Sequence, residues 1–93
     1  MKAKDIAKTV AEMRAGFNSG RTRPIQWRAA QLAALRALIT ENTESILAAL
    51  KADLGKPSFE AWAGEVGLVL RSVKEAQKNL SRWMKPERVN TPL

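Results

Sequence analysis

The chain has 93 residues and a formal charge of +7, from 16 Lys and Arg against 9 Asp and Glu. That length is one small domain or part of a larger one. With no cysteine and no histidine, it has no disulfide, no thiolate nucleophile or metal ligand, and no imidazole base.

In chain order, the spacing predicts four helices. The first runs from about Lys4 to Phe17. Ile6, Val10, Met13 and Phe17 recur at helical spacing as one apolar stripe, and Asp5 suits the positive end of the helix dipole. Asn18-Ser19-Gly20 ends it, with Gly20 suited to the left-handed conformation. Lys8 and Glu12 interrupt the apolar positions, so this segment is not expected to be a secretory signal, and the cytoplasm is the expected compartment.

The second helix is predicted over 24–40, with Pro24 in its first turn. Its expected buried face is Ile25, Ala29, Leu32, Leu35, Leu38 and Ile39. Asn42 or Thr43 is the expected cap of a third helix over 43–54, with Glu44 in its first turn. Ile46, Leu47, Leu50 and Leu54 form its apolar face, and Gly55 ends it.

The fourth helix is predicted over 58–84. Its stripe is Phe59, Trp62 and Ala63, Val66, Val69 and Leu70, Val73, Leu80 and Trp83. Gly64 and Gly67 inside it cost roughly 1 kcal/mol each relative to Ala. They therefore imply a kink or a close backbone approach, or else are tolerated at the surface. Pro86 prevents the helix from continuing, so 85–93 reads as an extended connector ending on Leu93. No apolar run approaches the ~20 residues of a membrane helix.

A helix of 26 residues is about 39 Å long, and the three shorter helices cover it only by stacking along it. Trp27 lies off its main stripe, and Leu47 and Trp83 broaden theirs. These spare apolar faces suit packing against the rest of a larger protein, another subunit or a second copy. The dispersed basic residues suit a solvated surface better than nucleic acid. A small basic nucleic-acid-binding module, or a protein-interaction module, is the alternative function. Arg21 and Arg23 could contact phosphate or pair within their loop, and Trp27, Trp62 and Trp83 fit core or interface better than base stacking.

An ordered series of residues carries a resemblance. It begins Phe17-x-Ser19-Gly20-x-Thr22-x-Pro24-x-x-x-Arg28 and continues Gln31-Leu32-x-x-Leu35-x-x-Leu38-Ile39. Ile46-x-x-Ala49-Leu50-x-x-Asp53-Leu54-x-Lys56 and Glu65-Val66 follow. It closes with Trp83-Met84-Lys85-Pro86-x-x-Val89-x-Thr91-Pro92-Leu93. This resembles the N-terminal segment of class 3-like aldehyde dehydrogenases. The resemblance implies the helical N-terminal part of a larger α/β Rossmann-like enzyme that oxidises aldehydes to carboxylic acids with NAD or NADP. It also implies that the long fourth helix borders the aldehyde entrance, through Trp62, Ala63, Val66 and Gly67. The family's nucleophile, oxyanion Asn, general base and phosphate-binding glycines match no position here. No catalytic, cofactor-binding or metal residue is therefore assigned, and the 93 residues alone are expected to be inactive.

Overall fold

The structure is a computed structural model describing residues 2–92. All its regular elements are helical: α1 (Ala3–Asn18), α2 (Ile25–Glu41), α3 (Thr43–Leu54), α4 (Ser58–Ala61), a π-helical turn (Trp62–Val66) and α5 (Gly67–Trp83). From Pro86 to Pro92 the chain has no helix or strand. Leu93, on which the expected connector ends, lies outside the described residues, as does Met1.

The helix ends follow local chemistry. The backbone N–H of Lys2 donates to Asp5 Oδ2 at 3.3 Å, so the first-turn acid holds the start of α1. Gly20 follows the end of α1 with φ of +80° and Gly55 that of α3 with φ of +67°, both left-handed as glycine allows. At the α2–α3 corner the expected capping is reversed. The Asn42 Nδ2 donates to the Leu38 carbonyl at 2.7 Å and Thr43 Oγ1 donates to the Ile39 carbonyl at 2.8 Å. Both side chains finish α2, whose last carbonyls lack helical donors, and neither caps α3.

The predicted fourth helix is one helical path with a defect in it. α4 passes into a π turn in which the Gly67 N–H donates to the Trp62 carbonyl, five residues back. Gly67 makes that turn possible. A β-carbon there would meet the Trp62 carbonyl oxygen at 3.0 Å and ring carbon Cζ3 at 3.3 Å. At Gly64 a β-carbon would meet nothing within 4 Å. One glycine is thus a packing requirement and the other a surface residue.

The core is thin. Ile39, Ala61, Val66 and Val73 are its buried residues, bringing α2, the start of the fourth helix, the π turn and α5 together. Burying a Val or Ile side chain is worth about 1.5–3 kcal/mol, so this core is small beside the ordering entropy of the chain. The expected buried face of α2 needs correction. Only Ile39 is buried; Ile25 and Leu32 are half-buried, and Ala29, Leu35 and Leu38 are exposed, Leu35 in a groove that α5 borders but does not close. The radius of gyration is 18.6 Å, with extents of 56 × 39 × 29 Å. A compact chain of this length would have about 12 Å.

Candidate functional site

Three places could carry function: the joint between α1 and α2, the π turn, and the apolar grooves beside α2.

At the joint, Ser19 Oγ donates to the Gly16 carbonyl at 2.6 Å and the Arg23 N–H donates to the Gly20 carbonyl at 3.1 Å. Arg28, one turn into α2, donates through Nε to the Thr22 carbonyl at 2.9 Å. The Arg21 guanidinium folds back over Gly16, its Nη2 only 3.1 Å from where a β-carbon would sit. It thereby lies near the carbonyl end of α1, where the helix dipole favours a cation. Of the three arginines of this joint, Arg28 is bonded to backbone through its side chain and Arg21 lies against Gly16. The geometry is that of a hydrogen-bonded corner between two helices.

At the π turn, Trp62 and Ala63 are exposed, Val66 is only 3% exposed, and Gly67 is half-buried beneath the Trp62 ring. The structure therefore separates the four residues of the expected entrance face. Two reach the surface and two support them from below. Sequence reasoning missed Lys56 as a partner for this turn. Lys56 Nζ donates to Glu65 Oε1 at 2.7 Å, the one ion pair among the described residues. It pins the α3–α4 connector to the π turn. The hydrogen bond to Glu65 raises the Lys56 ammonium pKa above its ordinary 10.5; desolvation opposes this, and the charges of Glu65 and Glu60 add to it. Lys56 and Glu65 both belong to the residue series that carries the family resemblance, yet nine positions separate them, and local periodicity does not join them.

Two open apolar grooves flank α2. One, of about 200 Å³, is lined by Ile39, Ile46, Leu50, Val66 and Val69, with Glu65 at its edge. The other, of about 400 Å³, runs between α2 and α5 over Trp27, Leu32, Leu35, Ala76, Leu80 and Trp83. Trp27 and Trp83 thus share a groove although they are far apart in sequence.

Among the described residues no cluster of three His, Cys, Asp or Glu could hold a metal. No buried side-chain polar atom among them lacks a partner. Both left-handed glycines serve helix ends.

A thin-cored set of helices, with apolar grooves open to solvent, is an all-α segment. Comparison with known proteins gives it a family. The model of the aldehyde dehydrogenase family matches residues 1–92. The chain is 45% identical over 85 residues to aldehyde dehydrogenase family 3 member B2 of Mus musculus, covering 91% of this chain and 18% of that protein. It is 39% identical over 89 residues to an aldehyde dehydrogenase of Craterostigma plantagineum, covering 96% of this chain and 19% of that protein. Against the dimeric NADP-preferring aldehyde dehydrogenase of Canis lupus familiaris it is 43% identical over 84 residues, covering 90% and 18%. No solved structure matches it at a significant level. The chain belongs to the aldehyde dehydrogenase family and represents an N-terminal segment of it. It spans less than a fifth of the length of these curated relatives.

Among the described residues no helix is long and apolar enough to cross a membrane.

Proposed function

We propose that these residues form the helical N-terminal layer of an enzyme that oxidises an aldehyde to a carboxylic acid with NAD or NADP. Residues 1–93 act as one helical segment, with 85–93 as a connector, and are inactive on their own. The observation that carries this reading is the family match across 1–92. The segment has no cysteine to form the thiohemiacetal that covalent aldehyde oxidation requires, so the chemistry is placed elsewhere in the enzyme.

Within that enzyme the segment packs through its open apolar faces against the remainder of the protein or another subunit. A homo-oligomer fits this reading, and one of the relatives is named as dimeric. The face of Trp62, Ala63, Val66 and Gly67 borders the aldehyde entrance. Trp62 and Ala63 present surface there, while Val66 and Gly67 hold the turn from beneath. The cytoplasm is the proposed compartment.

The test measures aldehyde-dependent formation of reduced nicotinamide, once with residues 1–93 and once with the polypeptide extended by the downstream coding sequence. Turnover is expected only from the extended polypeptide. Turnover by residues 1–93 alone overturns the reading.

A further inference from the structure

The outer face of α5 gathers cations that are dispersed in the sequence. Arg71, Lys74, Lys78 and Arg82 are all the cations of this helix. At roughly 100° per residue they fall within about 80° of one another around it. All four are exposed. Their row is about 17 Å long, at 1.5 Å per residue. The packed side of α5, with buried Val73 and half-buried Ala76 and Leu80, lies roughly opposite. The row therefore points away from α2 and from the core.

Helix stability does not account for this arrangement. Lys74, Lys78 and Arg82 follow one another at i, i+4 spacing, where like charges weaken a helix. None of the four forms an ion pair among the described residues. Glu75 is the one carboxylate of α5; it flanks the row and bridges to none of its members. Four cations against one carboxylate give α5 a net charge of +3. Arg82 donates to Asn79 Oδ1 at 2.8 Å, a neutral partner that leaves its charge uncompensated.

Charge complementarity calls for an anionic partner, and the shape of the row selects among them. The row is straight, lies along one helix and contains no aromatic side chain to stack on a base. A duplex curves its phosphates away from such a line, whereas a lipid surface presents anionic headgroups along all of it. Each Lys or Arg within a Debye length of an anionic leaflet, about 8 Å at physiological salt, adds to the attraction. Lys85 and Arg88, exposed just past the end of α5, extend the same positive field. Among the described residues no helix can cross a membrane, so a contact of this kind is peripheral.

We propose that the outer face of α5 is a docking surface for an anionic lipid membrane, contacted through Arg71, Lys74, Lys78 and Arg82. This goes beyond the catalytic reading and does not depend on it.

The test sediments the polypeptide, as the cell makes it, with vesicles of phosphatidylcholine alone and with vesicles containing roughly one-third phosphatidylserine. Binding is expected only to the anionic vesicles, and it should weaken as salt rises. Lys74→Gln combined with Lys78→Gln should lower the affinity about 25-fold, roughly fivefold for each charge. Arginine at both positions should retain it. Lys8→Gln combined with Lys51→Gln removes the same charge from α1 and α3 and should change the affinity by less than about twofold. The proposal is overturned by no binding to the anionic vesicles or by equal binding to both kinds. It is also overturned by equal losses in the two glutamine variants, by loss in the arginine variant, or by tighter binding to duplex DNA or polyglutamate than to the vesicles.

Discussion

Gly67 lies beneath Trp62: a β-carbon at position 67 would come within 3.0 Å of the Trp62 carbonyl oxygen and 3.3 Å of its indole. A side chain there would crowd the π turn that carries Trp62 and Val66. Gly67→Ala should widen or shift the turn, and the overlap, about 1–3 kcal/mol, should outweigh the roughly 1 kcal/mol that alanine contributes to a helix. Gly64→Ala meets open space and should stabilise by about 0.5–1 kcal/mol. Urea unfolding followed by tryptophan fluorescence ranks the two. If Gly67→Ala proves as stabilising as Gly64→Ala, the close approach is not what shapes the turn.

The helical stripes were legible in the sequence because each is a local pattern. Ile6, Val10, Met13 and Phe17 need only the helical period, and Gly20 and Gly55 need only their places at helix ends. The π turn was not legible, because Trp62, Val66 and Val69 satisfy the α-helical period just as well. What distinguishes the two is a steric relation between Gly67 and a carbonyl five residues back. The reversal at Asn42 and Thr43 was hidden for another reason. At a corner between two helices a polar side chain can serve either one, and residue type does not say which. The shared groove of Trp27 and Trp83 depends on how α2 and α5 cross, so each tryptophan read only as off or broadening its own stripe. Of the expected entrance face, the sequence supplied the positions, while which residues reach the surface followed from the turn.

Gly55 isolates the cost of a left-handed residue, since nothing lies within 4 Å of a β-carbon there. Gly55→Ala should destabilise by about 1–2 kcal/mol, and Gly55→Asn by less, because Asn tolerates this conformation. Thermal unfolding by circular dichroism gives both values. Equal stability of all three proteins would mean that α3 does not end in the left-handed residue described.

The Lys56–Glu65 pair makes a pH prediction. The folded-state pKa of Lys56 is raised above 10.5, so the unfolded chain loses this proton first as pH rises. The stabilisation is therefore complete below pH 10.5 and is lost as pH passes through the folded value. Lys56→Met should be less stable than the native chain at neutral pH, and the gap should close at strongly alkaline pH. A gap that is constant or widens across that range would remove the ion pair as its cause.

Arg28→Leu removes the Nε donor to the Thr22 carbonyl. A hydrogen bond from a charged group is worth about 1.5–3 kcal/mol, and partial exposure places this one toward the low end. The expected result is a loss of about 1.5 kcal/mol, with faster amide hydrogen exchange from Arg21 to Arg23. Unchanged exchange in that loop would show that the joint holds without Arg28.

We propose this segment as the helical N-terminal layer of an aldehyde-oxidising enzyme, with the chemistry in another part of that enzyme. Reduced nicotinamide formed from NAD or NADP in the presence of an aldehyde tests it most directly. Formation is expected from the polypeptide extended with its downstream coding sequence, and none from residues 1–93. Formation by residues 1–93 alone, or none by the extended polypeptide with any of a panel of aliphatic and aromatic aldehydes, would contradict it.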